Sequence, residues 1–175
     1  MRTAPSRGAD RVLGLVLAVV VGTLAGCGVG NRPADATGSD ATPSPSVSVA
    51  DADYAARLAK GINDARRDEA LDPLAHDDCA ATVAATRADE LVGTAELEHR
   101  PLDDALEQCD VELAAENLSR TSEPPEDVVG AWLASAGHAE NIRNPRFDRA
   151  AVSCAEDGEE RGAPRMVCVQ VFLAE

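Results

Sequence analysis

Three polar groups along the chain have the side chains that chemistry needs: His99; the adjacent Glu116 and Asn117; and the close set Ser135, His138 and Glu140. Imidazoles and carboxylates exchange protons as general acids and bases, and the same groups are common ligands of zinc. Ser135 stands three residues before His138, which raises a serine nucleophile with a histidine base. Neither a Gly-x-Ser-x-Gly elbow nor an evident oxyanion device accompanies that pair, so a serine hydrolase is set aside. The third histidine, His76, lies in an acidic loop and reads as a surface residue.

The element that must aim these groups runs from Ala131 to Ile142 and holds the only tryptophan, Trp132. Val128 and Trp132, like Val129 and Leu133, are four residues apart, on one face of a helix whose first turn accommodates Pro124-Pro125. Gly137 is expected to end this helix through a positive φ, so that His138 leaves from its tip.

Ahead of it, Tyr54, Leu58 and Ile62 mark an amphipathic helix over residues 51–67, followed by a Leu71-Asp72-Pro73-Leu74 turn. Asp77 or Asp78 can cap a second helix that carries Cys79, Val83 and Leu91 inward and ends near Gly93. A short helical piece covers Leu102 to Leu106, and a strand is expected near Asn117. Ala150 to Cys154 and Met166 to Leu173 read as strands, with the polar run from Glu156 to Gly162 as the loop of a hairpin. Helices first and a terminal hairpin last point to an α+β fold with helices covering a sheet.

The N-terminus carries an address. Arg2, Arg7 and Arg11 precede an apolar run from Val12 to Leu24, too short to span a bilayer comfortably as a mature helix. The following Leu24-Ala25-Gly26-Cys27 resembles the bacterial lipobox, which implies cleavage after residue 26 and acylation of Cys27. Residues 1–26 are thus expected to be a signal peptide. Residues 27–50, rich in Gly, Pro, Ser and Thr, form a tether, and residues 51–175 the domain. The expected location is extracytoplasmic, lipid-anchored to the outer face of the cell membrane.

With 31 acidic against 16 basic residues the formal charge is -15, which excludes the clustered cations that nucleic-acid binding needs. Thirty-three alanines beside one Trp, one Tyr and two Phe imply close-packed elements with few large side chains. Apart from Cys27 there are four cysteines, an even number in an exported chain. A hairpin turning about Arg161 sets Cys154 opposite Cys168 and leaves Cys79 for Cys109. With no Cys-x-x-Cys pair, a four-cysteine metal site is disfavoured.

The order of these motifs is more telling than any one of them. A His99 region, then Glu116-Asn117-Leu118, then Trp132-x-x-Ser135-x-Gly137-His138-x-Glu140-Asn141-Ile142-x-Asn144-Pro145-x-Phe147, then Val169-Gln170-Val171-Phe172, resembles the bacterial branch of the CAP superfamily, also called the SCP domain. The resemblance spans about residues 55–175. It implies a three-layer α-β-α sandwich with a central antiparallel sheet, and a cleft that holds a divalent ion in some members. His99 and His138 match the cleft histidines and Glu116 the motif glutamate, so these three are the implied metal ligands, with zinc or another divalent cation as the implied cofactor. Ala115 stands where glycine is usual, and Ser135 in the place of a second cleft acid, for which Glu140 is the nearest substitute. CAP domains share no single catalytic activity. The expected function is therefore a non-enzymatic, membrane-tethered binding module for an envelope lipid or wall polymer. The alternative is a metal-dependent hydrolase, a protease or wall-modifying enzyme, using the same cleft.

Overall fold

The computed structural model describes residues 48–175. The expected signal peptide, the Cys27 acylation site and nearly all of the tether lie outside them. The first helix, α1 (Val49–Asp68), starts inside the stretch read as tether, because Ser48 and Asp51 form a reciprocal capping box. Its Leu58 and Ile62 are buried as the periodicity requires. The chain continues through β1 (Ala75–His76), α2 (Asp78–Leu91), α3 (Asp103–Cys109), β2 (Leu113–Thr121), α4 (Pro125–Ala134), α5 (Ala136–Arg143), β3 (Arg149–Glu160) and β4 (Ala163–Ala174). Asp77 caps α2, its carboxylate accepting from the Ala80 N–H at 2.8 Å.

The four strands form one sheet in the order β1-β3-β4-β2. It is antiparallel at β3-β4 and β2-β4, whereas the two-residue β1 pairs parallel with β3. Side chains alternate along β4, so both faces are buried. Met166, Cys168 and Phe172 pack with α1, α4 and α5, while Val169, Val171 and Leu173 pack with α2 and α3. The result is a mixed α+β, three-layer arrangement. Buried Arg66 fastens the end of α1 to the end of α5, donating to the carbonyls of Asp72, Ile142, Asn144 and Phe147 at 2.7–3.1 Å.

The hairpin departs from expectation. The run read as a loop is strand up to Glu160, and the turn is only Arg161-Gly162, both at positive φ (54° and 81°), as a two-residue hairpin turn demands. That turn alone would set Cys154 opposite Val169. A bulge intervenes, with Asp157 and Gly158 (φ 78°) facing the single Arg165, and the shift brings Cys154 opposite Cys168. Both expected disulfides form, Cys79–Cys109 and Cys154–Cys168.

A second correction concerns Gly137. The helix through Trp132 stops at Ala134, where Ser135 is extended (φ -90°, ψ 123°), and Gly137 and His138 lie inside the following helix α5. Ser135 both ends α4, its N–H reaching the carbonyls of Ala131 and Trp132, and starts α5, its carbonyl accepting from the Ala139 N–H at 2.8 Å. A residue that serves both helix ends leaves nothing for a glycine to break.

Candidate functional site

Strand β2 is the outer strand of the sheet, and the site is built around its free edge. The Cα atoms of Cys154 and Cys168 are 4.1 Å apart, the spacing of a non-hydrogen-bonded pair. Cys168 therefore bonds its other neighbour, Ser119, and the alternation turns the backbone polar groups of Glu116 and Leu118 outward. Side chains meet both carbonyls. Asn141 Nδ2 donates to the Glu116 carbonyl at 3.2 Å, and Trp132 Nε1 to the Leu118 carbonyl at 3.0 Å. Asn117 completes the bracket, donating to the His138 carbonyl at 3.3 Å and accepting from Asn141 at 2.9 Å. Thus α4 and α5 are locked to β2 by Trp132, Asn117 and Asn141, which fixes where His138 sits.

On the other face of β2, the Glu116 side chain is buried and both its oxygens are engaged. Oε2 meets Arg87 Nη1 at 3.0 Å, and Oε1 meets His99 Nδ1 at 2.9 Å. Arg87, equally buried, also donates to the Pro101 carbonyl at 2.8 Å and to Asp104 at 2.6 Å. The guanidinium offsets the buried carboxylate and ties α2 to the segment that carries His99. His99 itself is exposed, with one ring nitrogen held by Glu116. The His99 and His138 rings lie 6.5 Å apart between centroids, and Trp132 packs 6.2 Å from His138. Burial, and then the nearby His99, push His138 below the ordinary imidazole range, so its neutral form is favoured.

Two hollows flank this strand. One, about 320 Å³, is lined by Leu118, Val128, Trp132, Ser135 and His138. The other, about 430 Å³, lies beside Arg87, Glu96, Arg100 and Glu116. His99, Glu116 and His138 are thus brought together, and Ser135 borders the same hollow as His138. Glu140 is not brought in. It follows His138 by two helical positions, which turns it to the opposite side of α5, where it is exposed. Ser135 and His138 make no hydrogen bond with each other among the described residues.

As placed, the donors do not fit a three-ligand metal centre. The Glu116 carboxylate is engaged by Arg87 and His99, and no group of three His, Cys, Asp or Glu side chains among the described residues is arranged to hold an ion. Sequence reasoning missed Arg87 and Asn141. Arg87 had a visible signal, since it follows Val83 by four residues on the buried stripe of α2. Asn141 was visible only as part of the motif.

This fold agrees with the comparisons. The model of the "Cysteine-rich secretory protein family", CAP, matches residues 60–172, and the chain belongs to that family. An uncharacterized protein of Bacillus subtilis (strain 168), YkwD, is 28% identical over 134 residues, 72% of this chain and 51% of the relative, so the chain spans about half its length. Among solved structures, a cysteine-rich secretory protein from Staphylococcus aureus aligns with a TM-score of 0.58 and 17% identity over 71% of this chain and 39% of that one. An extracellular SCP-domain protein of Bacillus anthracis aligns with 0.56 and 22% over 71% and 41%. An outer surface protein of Borrelia burgdorferi aligns with 0.55 and 22% over 67% and 90%. At these identities the structures establish the shared fold.

Proposed function

We propose that the chain is an extracytoplasmic binding module of the cell envelope, held to the membrane by acyl chains on Cys27, that takes an envelope lipid or wall polymer in the cleft at the edge of β2. The observation that carries this reading is the double engagement of the Glu116 carboxylate. A carboxylate fixed between Arg87 and His99 orients an imidazole but is not free to act as a base or to ligate an ion. Opposite it stand a neutral His138 and a hollow in which Leu118, Val128 and Trp132 lie beside Ser135, Arg120, Glu123 and Asp127, a mixed lining that suits a ligand with both apolar and hydroxylated parts. The envelope address is supported by the Leu24-Ala25-Gly26-Cys27 motif, by two disulfides, and by the extracellular and outer-surface descriptions of two structural relatives.

The test is co-sedimentation of the chain carrying Cys27→Ser, which has no acyl anchor, with purified cell wall, and separately with vesicles of envelope lipid, for the native cleft, His99→Ala and His138→Ala. Retention on one of the two surfaces, weakened about tenfold in both variants, is expected. Equal retention of all three proteins would overturn the cleft assignment. Labelling with radioactive palmitate, lost in Cys27→Ser, tests the tether. The competing reading, a metal-dependent hydrolase, requires about one zinc per chain after equilibrium dialysis, lost in both histidine variants.

A further inference from the structure

A separate cavity of about 400 Å³ lies between α1 and the sheet and shares no lining residue with the two hollows at β2. Its roof is the stripe Ala52, Ala55, Ala56 and Ala59, whose small side chains leave the space open. Its floor includes Val152, Cys154 and Gln170. No Asp, Glu, Lys or Arg lines it, although the chain carries 47 such residues, 31 acidic and 16 basic.

Gln170 gives this space chemical direction. It sits in the middle of β4, opposite Val152 on one side and Asn117 on the other, and is 1% exposed. Its Oε1 has no hydrogen-bond partner among the described residues. Its polar neighbours are otherwise engaged: Asn117 with Asn141 and the His138 carbonyl, and Asn63 with both backbone groups of Leu74. Every other residue from Met166 to Ala174 is a buried apolar one, and an apolar side chain at 170 would avoid the desolvation of an unmatched amide.

We infer that this cavity binds an uncharged, mainly apolar small molecule with one hydroxyl, which lies under the α1 alanines and hydrogen-bonds the Gln170 amide. A hydroxyl both donates and accepts, so it satisfies an amide from either side. A charged head group is disfavoured because no Lys or Arg lines the cavity, and its one titratable lining side chain, His76, is exposed and lies 3.4 Å from Asp78. The volume falls in the range of about 300 to 1,000 Å³ that small-molecule sites occupy.

The experiment is calorimetric titration of the full chain with 1-decanol, and with decanoate at pH 7 as the charged counterpart. One saturable site for 1-decanol, with decanoate weaker by about tenfold or more, is expected. Ala59→Phe fills the cavity and abolishes binding. Ala56→Phe, at the exposed rim, does the same by obstruction and keeps the test open if the first variant fails to fold. Gln170→Leu weakens 1-decanol about tenfold with the circular dichroism spectrum unchanged. His138→Ala binds like the wild type, which separates this site from the cleft. Absence of saturable binding to the wild type, or undiminished binding to folded Ala56→Phe, overturns the site. Equal affinity for decanoate, or an unaffected Gln170→Leu, overturns the role given to the uncharged floor and its amide.

Discussion

Replacing Arg87 by Met keeps an unbranched apolar stem while removing the guanidinium that the Glu116 carboxylate depends on. Both side chains are 4% exposed and meet at 3.0 Å, so the substitution leaves a buried charge without its partner. Breaking such a pair from one side costs about 3–5 kcal/mol. The lost bond to the Pro101 carbonyl adds about 1 kcal/mol. The contact with Asp104, a half-exposed carboxylate, is screened and adds little. The expected loss is therefore about 4–6 kcal/mol, a large part of the roughly 5–15 kcal/mol that keeps a domain folded. Urea unfolding followed by circular dichroism measures it, and an unchanged slope confirms that the unfolded state is not the cause. Arg87→Met with Glu116→Gln should recover part of the loss, because the uncompensated charge is then gone. A single variant within about 1 kcal/mol of the wild type, or a double variant worse than the sum of the two singles, would refute the view that Arg87 exists to hold Glu116.

Because the pKa of His138 is lowered on folding, the unfolded chain takes up the proton first. Stability is then full above the ordinary imidazole pKa of about 6.5, and falls as pH drops below it toward the folded value. His138→Gln should flatten that part of the stability-pH curve, and an unchanged slope would argue against a neutral His138. Trp132→Phe leaves the buried Leu118 carbonyl without its indole donor and should cost about 1–3 kcal/mol in urea unfolding read by circular dichroism. Replacing both Cys154 and Cys168 by Ala should lower stability by about 3 kcal/mol, with the melting temperature as the measurement; no loss would show that the bridge does not restrain the unfolded chain.

The parts of the fold that could be read in the sequence are those with a clear period. The helix through Leu58 and Ile62 and the strand through Val167, Val169 and Val171 each bury the residues that their spacing selects. The break between α4 and α5 is not legible in the sequence, where Gly137 is the obvious breaker, whereas Ser135, extended and bonded to both helices, is the residue that turns the chain. Arg87 was hidden by its charge, since arginines are read as solvent-facing unless a buried partner is known, and Glu116 lies 29 residues away. Glu140, the nearest substitute for a cleft acid at Ser135, follows His138 by two 100° steps of α5 and is turned away from the cleft.

The bulge at Asp157 and Gly158 reaches beyond its own geometry. A hairpin closed by the Arg161-Gly162 turn without it would carry Cys154 and Cys168 on opposite faces of the sheet, where no bond between them can form. The covalent link is therefore available to only one of the two ways of zipping the strands, and oxidation acts as a covalent signature of correct alignment. A chain that slipped by one residue would keep two free thiols and remain open to correction. One extra residue near the turn thus converts a simple cross-link into a means of checking the frame in which the last two strands were read.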